Sequence, residues 1–327
     1  MNNPLYFVGV DVGGTTIKGG VVDDSGLPLS SVNLATEAYM GQVFGLERMS
    51  ETVRRAVAGA GLRLDQIAAT GVATPGTMDI PAGIILDPPN LKPWQNVPVR
   101  RHIHDTFKVP TAFQNDANAA AYGEYWVGAG KGTGSMVLFT LGTGIGCGIV
   151  IDDVIIEGRH SHGAEVGHIK IELSNPRQCG CGRWGCLEAY ASATAVVKRT
   201  LEALNGDGGK SSLHTVIREL GDLTSREVFD AAAKGDFLAE KIVEDTAFYL
   251  AVGATNMMHT IDPDMVLFGG GMIAAGNSFL ERIQRHVKSL AFPVPAEKTQ
   301  LCFAKLGTDA GFIGAAACAR KLYRESR

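Results

Sequence analysis

The chain has 327 residues, 45% of them apolar and 20% charged, the composition of an ordinary globular enzyme with enough length for two domains of about 150 residues each. Thirty basic against 34 acidic residues leave a net charge of −4 and no long basic run, which argues against nucleic acid as a partner. The start, MNNPLYFVGVDVGG, lacks the basic and then apolar pattern of a secretory signal, so cytoplasmic residence is expected.

Leu5 to Val12 and Ile17 to Val22 read as strands on either side of a glycine-rich turn. That turn, in Asp11-Val-Gly-Gly-Thr-Thr-Ile-Lys18, offers the N–H groups of Gly13, Gly14, Thr15 and Thr16, two hydroxyls and the Lys18 ammonium to phosphate oxygens. Asp11 just before it is suited to a nucleotide-bound Mg2+; a plain Gly-Gly hairpin is the alternative. A helix is expected over Leu46 to Ala60. Gly71 to Asp79 then ends a strand in a Pro-Gly turn, and Pro88 to Trp94 is a stiff loop anchored by its tryptophan. Structural turns account for most of these residues, with Gly76 and Asn90 able to line a polyol pocket.

Asn115-Asp116 follows the apolar segment Pro110 to Gln114 and precedes a helix over Ala117 to Val127. Asp116 at a strand end is either a helix cap or a general base that takes the proton from a substrate hydroxyl, with Asn115 binding adjacent hydroxyls. The uncharged window Gly132 to Ile151 has the length of a membrane span, but its glycines predict two buried strands, Met136 to Leu141 and Cys147 to Ile151, around a second phosphate-sized turn at Gly142, Thr143 and Gly144. Strand, Gly-Thr turn, strand thus occurs twice, which predicts a duplicated α/β core with nucleotide held between the halves.

Glu165 to Glu188 reads EVGHIKIELSNPRQCGCGRWGCLE. Three thiols, Cys179, Cys181 and Cys186, and the imidazole of His168 make a closed tetrahedral zinc site, structural because no position is left for water. Disulfide pairing competes poorly, since cysteines two apart reach relaxed disulfide geometry with difficulty and the third is left over. Cys147, Cys302 and Cys318 lie in apolar surroundings and are expected to be buried thiols. Glu165 and Glu188, at the ends of the stretch, can accept hydrogen bonds from vicinal hydroxyls. His160 and His162 receive no role.

Further helices are predicted over Ser192 to Leu204 with Ser192 as cap, Thr224 to Ala233 with a Thr224–Glu227 capping box, Asp236 to about Thr260, Ser278 to Leu290, and about Gly311 to Tyr323. Asn205 to Ser212 reads as a surface loop. Asp264 to Phe268 is a strand entering the turn Gly269, Gly270, Gly271.

Together these segments resemble the ROK family (repressors, open reading frames and kinases), whose kinases belong to the actin-like sugar kinases. The likeness covers nearly the whole chain. It rests on Asp11 to Thr15 and Leu141 to Gly148 as the two phosphate motifs, Asn115-Asp116, the E-x-G-H at Glu165 to His168, and the C-x-C-G-x-x-G-C-x-E at Cys179 to Glu188. The resemblance implies a two-domain actin-like ATPase fold (ribonuclease H-like) with an interdomain cleft. We divide it as 1–116 plus 312–327 for the smaller domain and 117–311 for the larger, zinc-bearing one. It also implies sugar contacts at Glu165, His168 and Glu188, a reacting end held by Gly76, Asn115 and Asp116, adenine contacts near Gly269 to Gly271, a C-terminal helix that returns to the first domain, and a homodimer or homotetramer. The expected reaction is phosphorylation of a hexose by ATP with Mg2+, glucose to glucose 6-phosphate first, with fructose, mannose or N-acetylmannosamine as other acceptors, polyphosphate as another donor, and a sugar-binding sensor as the non-enzyme alternative. Only ten residues precede Asp11, so the winged-helix repressors of the family are not the expectation.

Overall fold

The computed structural model describes residues 4–206 and 210–327. The chain opens with the hairpin β1 (Tyr6–Val12) and β2 (Thr16–Asp23), then β3 (Val32–Ala35) and helix α1 (Gln42–Gly59). Strand β4 (Ile67–Thr74) leads to a small hairpin of β5 (Thr77–Asp79) and β6 (Ile84–Asp87), helix α2 (Val99–Phe107), strand β7 (Thr111–Asn115) and helix α3 (Asp116–Trp126). The strand–turn–strand pattern recurs in β8 (Ser135–Leu141) and β9 (Ile145–Ile151), with the short β10 (Val154–Ile155) after them. Beyond a long irregular stretch come α4 (Glu188–Ala191), α5 (Ala193–Asn205), α6 (Leu213–Leu220), α7 (Ser225–Ala233) and α8 (Phe237–Ile261). The chain ends with β11 (Met265–Gly269), α9 (Asn277–Leu290), α10 (Pro293–Lys298), β12 (Gln300–Phe303) and α11 (Ala310–Glu325).

Both large sheets follow one plan. Their strand orders, β3-β2-β1-β4-β7 and β10-β9-β8-β11-β12, each put the third, second, first, fourth and fifth strand of a set side by side. In the first sheet β1 pairs with β2 antiparallel and with β4 parallel, and β4 pairs with β7 parallel; in the second, β8–β11 and β11–β12 are the parallel pairs. The repeated glycine turn in the sequence was therefore the trace of a duplicated core. The uncharged window is β8, a turn and β9, and among the described residues no helix is long and apolar enough to cross a membrane.

The chain divides into two compact units, the first holding residues up to Thr133, Gly148–Ala164 and Lys305–Arg327, the second Gly134–Cys147 and Glu165–Ala304. In the first unit, Val8, Val10 and Val12 of β1 join Met49, Val53 and Val57 of α1, Ile103 of α2 and the loop residues Leu91 and Trp94 in a buried core. Trp94 is the anchor expected: its ring is buried and Nε1 donates to the Ala38 carbonyl at 3.0 Å. The caps also hold, with Ser192 Oγ accepting from Ala195 N at 3.1 Å and a complete Thr224–Glu227 box before α7. Helix α1 begins at Gln42 rather than Leu46, and β3, the β5–β6 hairpin, α2, α6, α10 and β12 were not anticipated. The loop expected at 205–212 lies partly outside the described residues, at 207–209.

The other face of the first sheet is covered by α11, whose alanine- and glycine-rich surface lets backbone meet backbone. Period-2 alternation turns Phe7, Gly9 and Asp11 of β1 toward this side. A β-carbon on Gly71 of β4 would lie 1.8 Å from the Ala315 carbonyl oxygen, and one on Gly9 equally close to that of Phe312. No flexible side chain can yield there. We expect Gly71→Ala to lower stability by about 1–3 kcal/mol or more through overpacking, read as a shifted midpoint in urea unfolding; an unchanged midpoint would mean that α11 slides at little cost.

Candidate active site

In the first unit the site forms at the carboxyl ends of the parallel strands β1, β4 and β7, the edge at which open α/β sheets hold ligands. Asp11, one residue before the end of β1, lies opposite Lys18 of β2, and Thr74 at the end of β4 is in register with Asn115 of β7. Asn115 settles which residue caps α3: its Oδ1 accepts from the N–H groups of Ala117 at 2.9 Å and Asn118 at 3.2 Å. Asp116 is thus the first helical residue and not the cap, its Oδ1 accepting from Ala117 N at 2.8 Å. Asn115 has spent its oxygen on the helix, and its amide N–H groups are what it can offer a ligand.

Asp11 and Asp116 feel each other's charge. Burial, reinforced by Asp116 and partly offset by Lys18, pushes the Asp11 carboxyl up to about 7. A β-carbon on Gly311 would fall 2.0 Å from Asp11 Oδ2, so Gly311, in the first turn of α11, leaves the space this carboxylate occupies. Gly76 has φ of +89° and packs against Pro88, where a β-carbon would lie 2.7 Å from Pro88 Cα. One at Gly14 would lie 3.1 Å from the Asn90 carbonyl oxygen, so the Asn90 loop rests on the first glycine turn. Asp11, Gly14, Gly76, Asn90, Asn115 and Asp116 therefore belong to one neighbourhood.

Two groups of the first turn are committed elsewhere. The Gly13 N–H donates to the Thr16 carbonyl at 2.9 Å, and Thr15 accepts from Thr36 N at 2.9 Å. Lys18 turns to the start of α11, where its ammonium reaches the carbonyl and hydroxyl of Thr308, each at 3.2 Å, and pairs with Asp309. Three acceptors for three N–H groups make it a strap between β2 and α11.

In the second unit the Gly142, Thr143, Gly144 turn, the Glu165–His168 turn and the Cys179–Glu188 loop meet. Glu188 joins two of them: Oε2 accepts from Ile145 N at 2.9 Å and Oε1 from Cys179 Sγ at 3.3 Å. A β-carbon on Gly144 would strike Glu188 Oε2 at 2.3 Å, and one on Gly167 would strike the Ile145 carbonyl oxygen at 2.1 Å. Glu188 opens α4, which Arg199 holds through the Tyr190 carbonyl at 2.9 Å while pairing with Asp245 at 3.1 Å. Gly270, with φ of +87°, lies against Leu141, and Gly269 of β11 pairs with Thr140 of β8, so Gly269, Gly270 and Gly271 border the second glycine turn.

The ligand atoms of His168, Cys179, Cys181 and Cys186 all lie within 4.8 Å of one another. Cys181 and Cys186 sulfurs are 3.8 Å apart and Cys179 Sγ is 3.7 Å from His168 Nδ1. Bonds of ~2.3 Å to sulfur in a tetrahedron require S···S edges of ~3.8 Å, so the donor set fits zinc in kind and spacing. All six cysteines are thiols. Cys147 is buried as expected, and burial, then the Glu165 charge, push its thiol up; Cys302 and Cys318, expected to be buried, are only half-buried.

Sequence reasoning missed Gln114. Its buried Oε1 accepts from Asn115 N at 2.8 Å and Asn118 Nδ2 at 3.1 Å, and its Nε2 donates to Glu157 at 2.6 Å, so it fixes the backbone that presents Asn115 and Asp116. A polar residue at an inward strand position beside Asn-Asp was the available signal. His160 and His162 lie exposed, with His162 Nδ1 against the His160 carbonyl at 2.6 Å.

A model of the ROK family matches residues 7–322. Over 309 residues the chain is 33% identical to a glucokinase of Halalkalibacterium halodurans, covering 94% of this chain and 93% of that protein. Among solved structures it is similar to a ROK hexokinase from Thermus thermophilus, with a TM-score of 0.85, 32% identity and coverage of 98% of this chain and 100% of that one. A ROK family glucokinase from Streptomyces griseus, solved in complex with glucose and AMPPNP, aligns with a TM-score of 0.79 at 31% identity over 97% and 99% of the two chains.

Proposed function

The chain belongs to the ROK family and has the actin-like ATPase fold of its sugar kinases, and from that premise we infer that it is an ATP-dependent glucokinase forming glucose 6-phosphate and ADP. The observation that carries the reading is the pair Asp11 and Asp116 at the carboxyl edge of the first sheet, with Asn115 taking over the helix cap. In this reading Asp116 accepts the proton of the glucose 6-hydroxyl as that oxygen attacks the γ-phosphorus and ADP departs. Asn115 donates to a neighbouring hydroxyl, with Gly76 and Asn90 shaping the same pocket wall. Glu165, His168 and Glu188 bind the remaining hydroxyls. Gly14, Thr15 and Thr16 of the first turn and Gly142, Thr143 and Gly144 of the second hold the phosphates, and Gly269 to Gly271 border the adenine. Catalysis then rests on alignment and on charge stabilisation of the transferring group.

Asp11 would hold Mg2+, a group that supplies charge neutralisation on the nucleotide. Its fit is supported by the environment of Asp11, whose ionised form is penalised first by burial and then by the charge of Asp116, both of which a bound cation offsets. His168, Cys179, Cys181 and Cys186 would hold zinc, which fills a closed, structural set of ligands and fixes the loop. The same reading puts the enzyme in the cytoplasm as a homodimer or homotetramer.

The test is a panel of glucose, fructose, mannose and N-acetylmannosamine, each with ATP and with polyphosphate. Glucose with ATP should give the highest kcat/KM. A higher value for another pair would reassign the substrate, and sugar binding without ADP release would make the protein a sensor.

A further inference from the structure

A cation reaches the thiol cluster from outside the four candidate ligands. The antiparallel bridge between Lys170 and Cys186 sets the two residues opposite each other, and Lys170 Nζ donates to Cys186 Sγ at 2.8 Å. Cys186 is fully buried, so this contact fixes a sulfur that water does not reach. The charge balance gives the contact a purpose. Three thiolates and a neutral imidazole around a divalent ion carry one excess negative charge, and the Glu188 carboxylate, 3.3 Å from Cys179 Sγ, adds another nearby. A hydrogen bond from an ammonium to a ligand sulfur offsets that excess and orients the ligand, as outer groups around metal sites do.

We propose that Lys170 is part of the metal site: by donating to Cys186 and balancing the thiolate charge, it sets the affinity of the cluster for zinc. The inference rests on the zinc reading above. It gives Lys170 a positioning role and no contact with sugar or nucleotide.

Competition with a chromophoric chelator measures zinc affinity in the full-length wild type, Lys170→Met and Lys170→Arg. Lys170→Met keeps the length and apolar stem of the side chain and removes the donor and charge; it should bind zinc about tenfold more weakly or worse. Lys170→Arg restores both and should stay close to wild type. Equal affinity of Lys170→Met and wild type overturns the inference, as does Lys170→Arg as weak as Lys170→Met, since a purely packing role would not be rescued by charge. A wild type that takes up no zinc overturns the metal reading itself, an outcome distinct from zinc-loaded wild type beside an equally tight Lys170→Met.

Discussion

Asp116→Asn should turn over glucose about 10²- to 10⁴-fold more slowly than wild type, with glucose affinity within a few-fold. The substitution is nearly isosteric and removes the proton acceptor. It should leave the fold intact for a local reason: the cap of α3 belongs to Asn115, and an asparagine oxygen at 116 can still accept from Ala117 N. It also removes the charge that, after burial, helps push the Asp11 carboxyl up. Steady-state kinetics for kcat and calorimetry for glucose separate the two quantities. Near-normal kcat would remove Asp116 from the chemistry, and lost glucose binding would make it a binding residue.

Stripping zinc should weaken glucose binding by roughly 100-fold. Glu165 and His168 lie on a stretch that runs to Glu188 at the start of α4 and has little regular structure of its own, a single turn at Val166–His168 and the isolated bridges Lys170–Cys186 and Gln178–Trp184. If the cluster no longer ties this stretch together, glucose must order it on binding. Fixing a residue costs about 1–2 kcal/mol, so ordering two or three of them loses about two orders of magnitude or more at 1.4 kcal/mol per tenfold. The check is glucose calorimetry on chelated protein whose zinc content has been measured, and undiminished affinity there would refute the organising role of the metal. Glu188 adds a second readout, because it also holds Ile145 beside the second glycine turn: nucleotide affinity should fall in the same sample.

The sequence carried what is local. Strands around glycine turns, the helix caps at Ser192 and Thr224, the anchor at Trp94 and the spacing of four metal ligands all follow from residues close in the chain, and the structure has them. What it did not carry is set by distant partners. Helix α2 starts after Pro98 without a side-chain cap, and its one signal, Val99, Ile103 and Phe107 spaced four apart, spans little more than two turns. Lys18 reads as a phosphate ligand because it follows a glycine turn; the contacts it makes here, to Thr308 and Asp309, come from some 290 positions away. Glu188 reads as an acceptor for sugar hydroxyls at the end of a thiol motif, and its tie to Ile145, which no pattern shows, depends on two turns meeting in space. Asp116 shows the middle case: its position at a strand end was legible, whereas the transfer of the cap to Asn115 needed coordinates.

The docking of α11 sets the order of assembly against the order of synthesis. The first sheet is complete in strands once Asn115 has been made, yet the side on which Gly9 and Gly71 lie has only the partial cover of α3, through Ala119 and Trp126, until the chain reaches Ala310. All of Glu165–Ala304 in the second unit emerges before that. The oldest sheet therefore stays only partly covered until α11 emerges, long after its own strands, and that interval is when a nascent chain of this design depends most on chaperones.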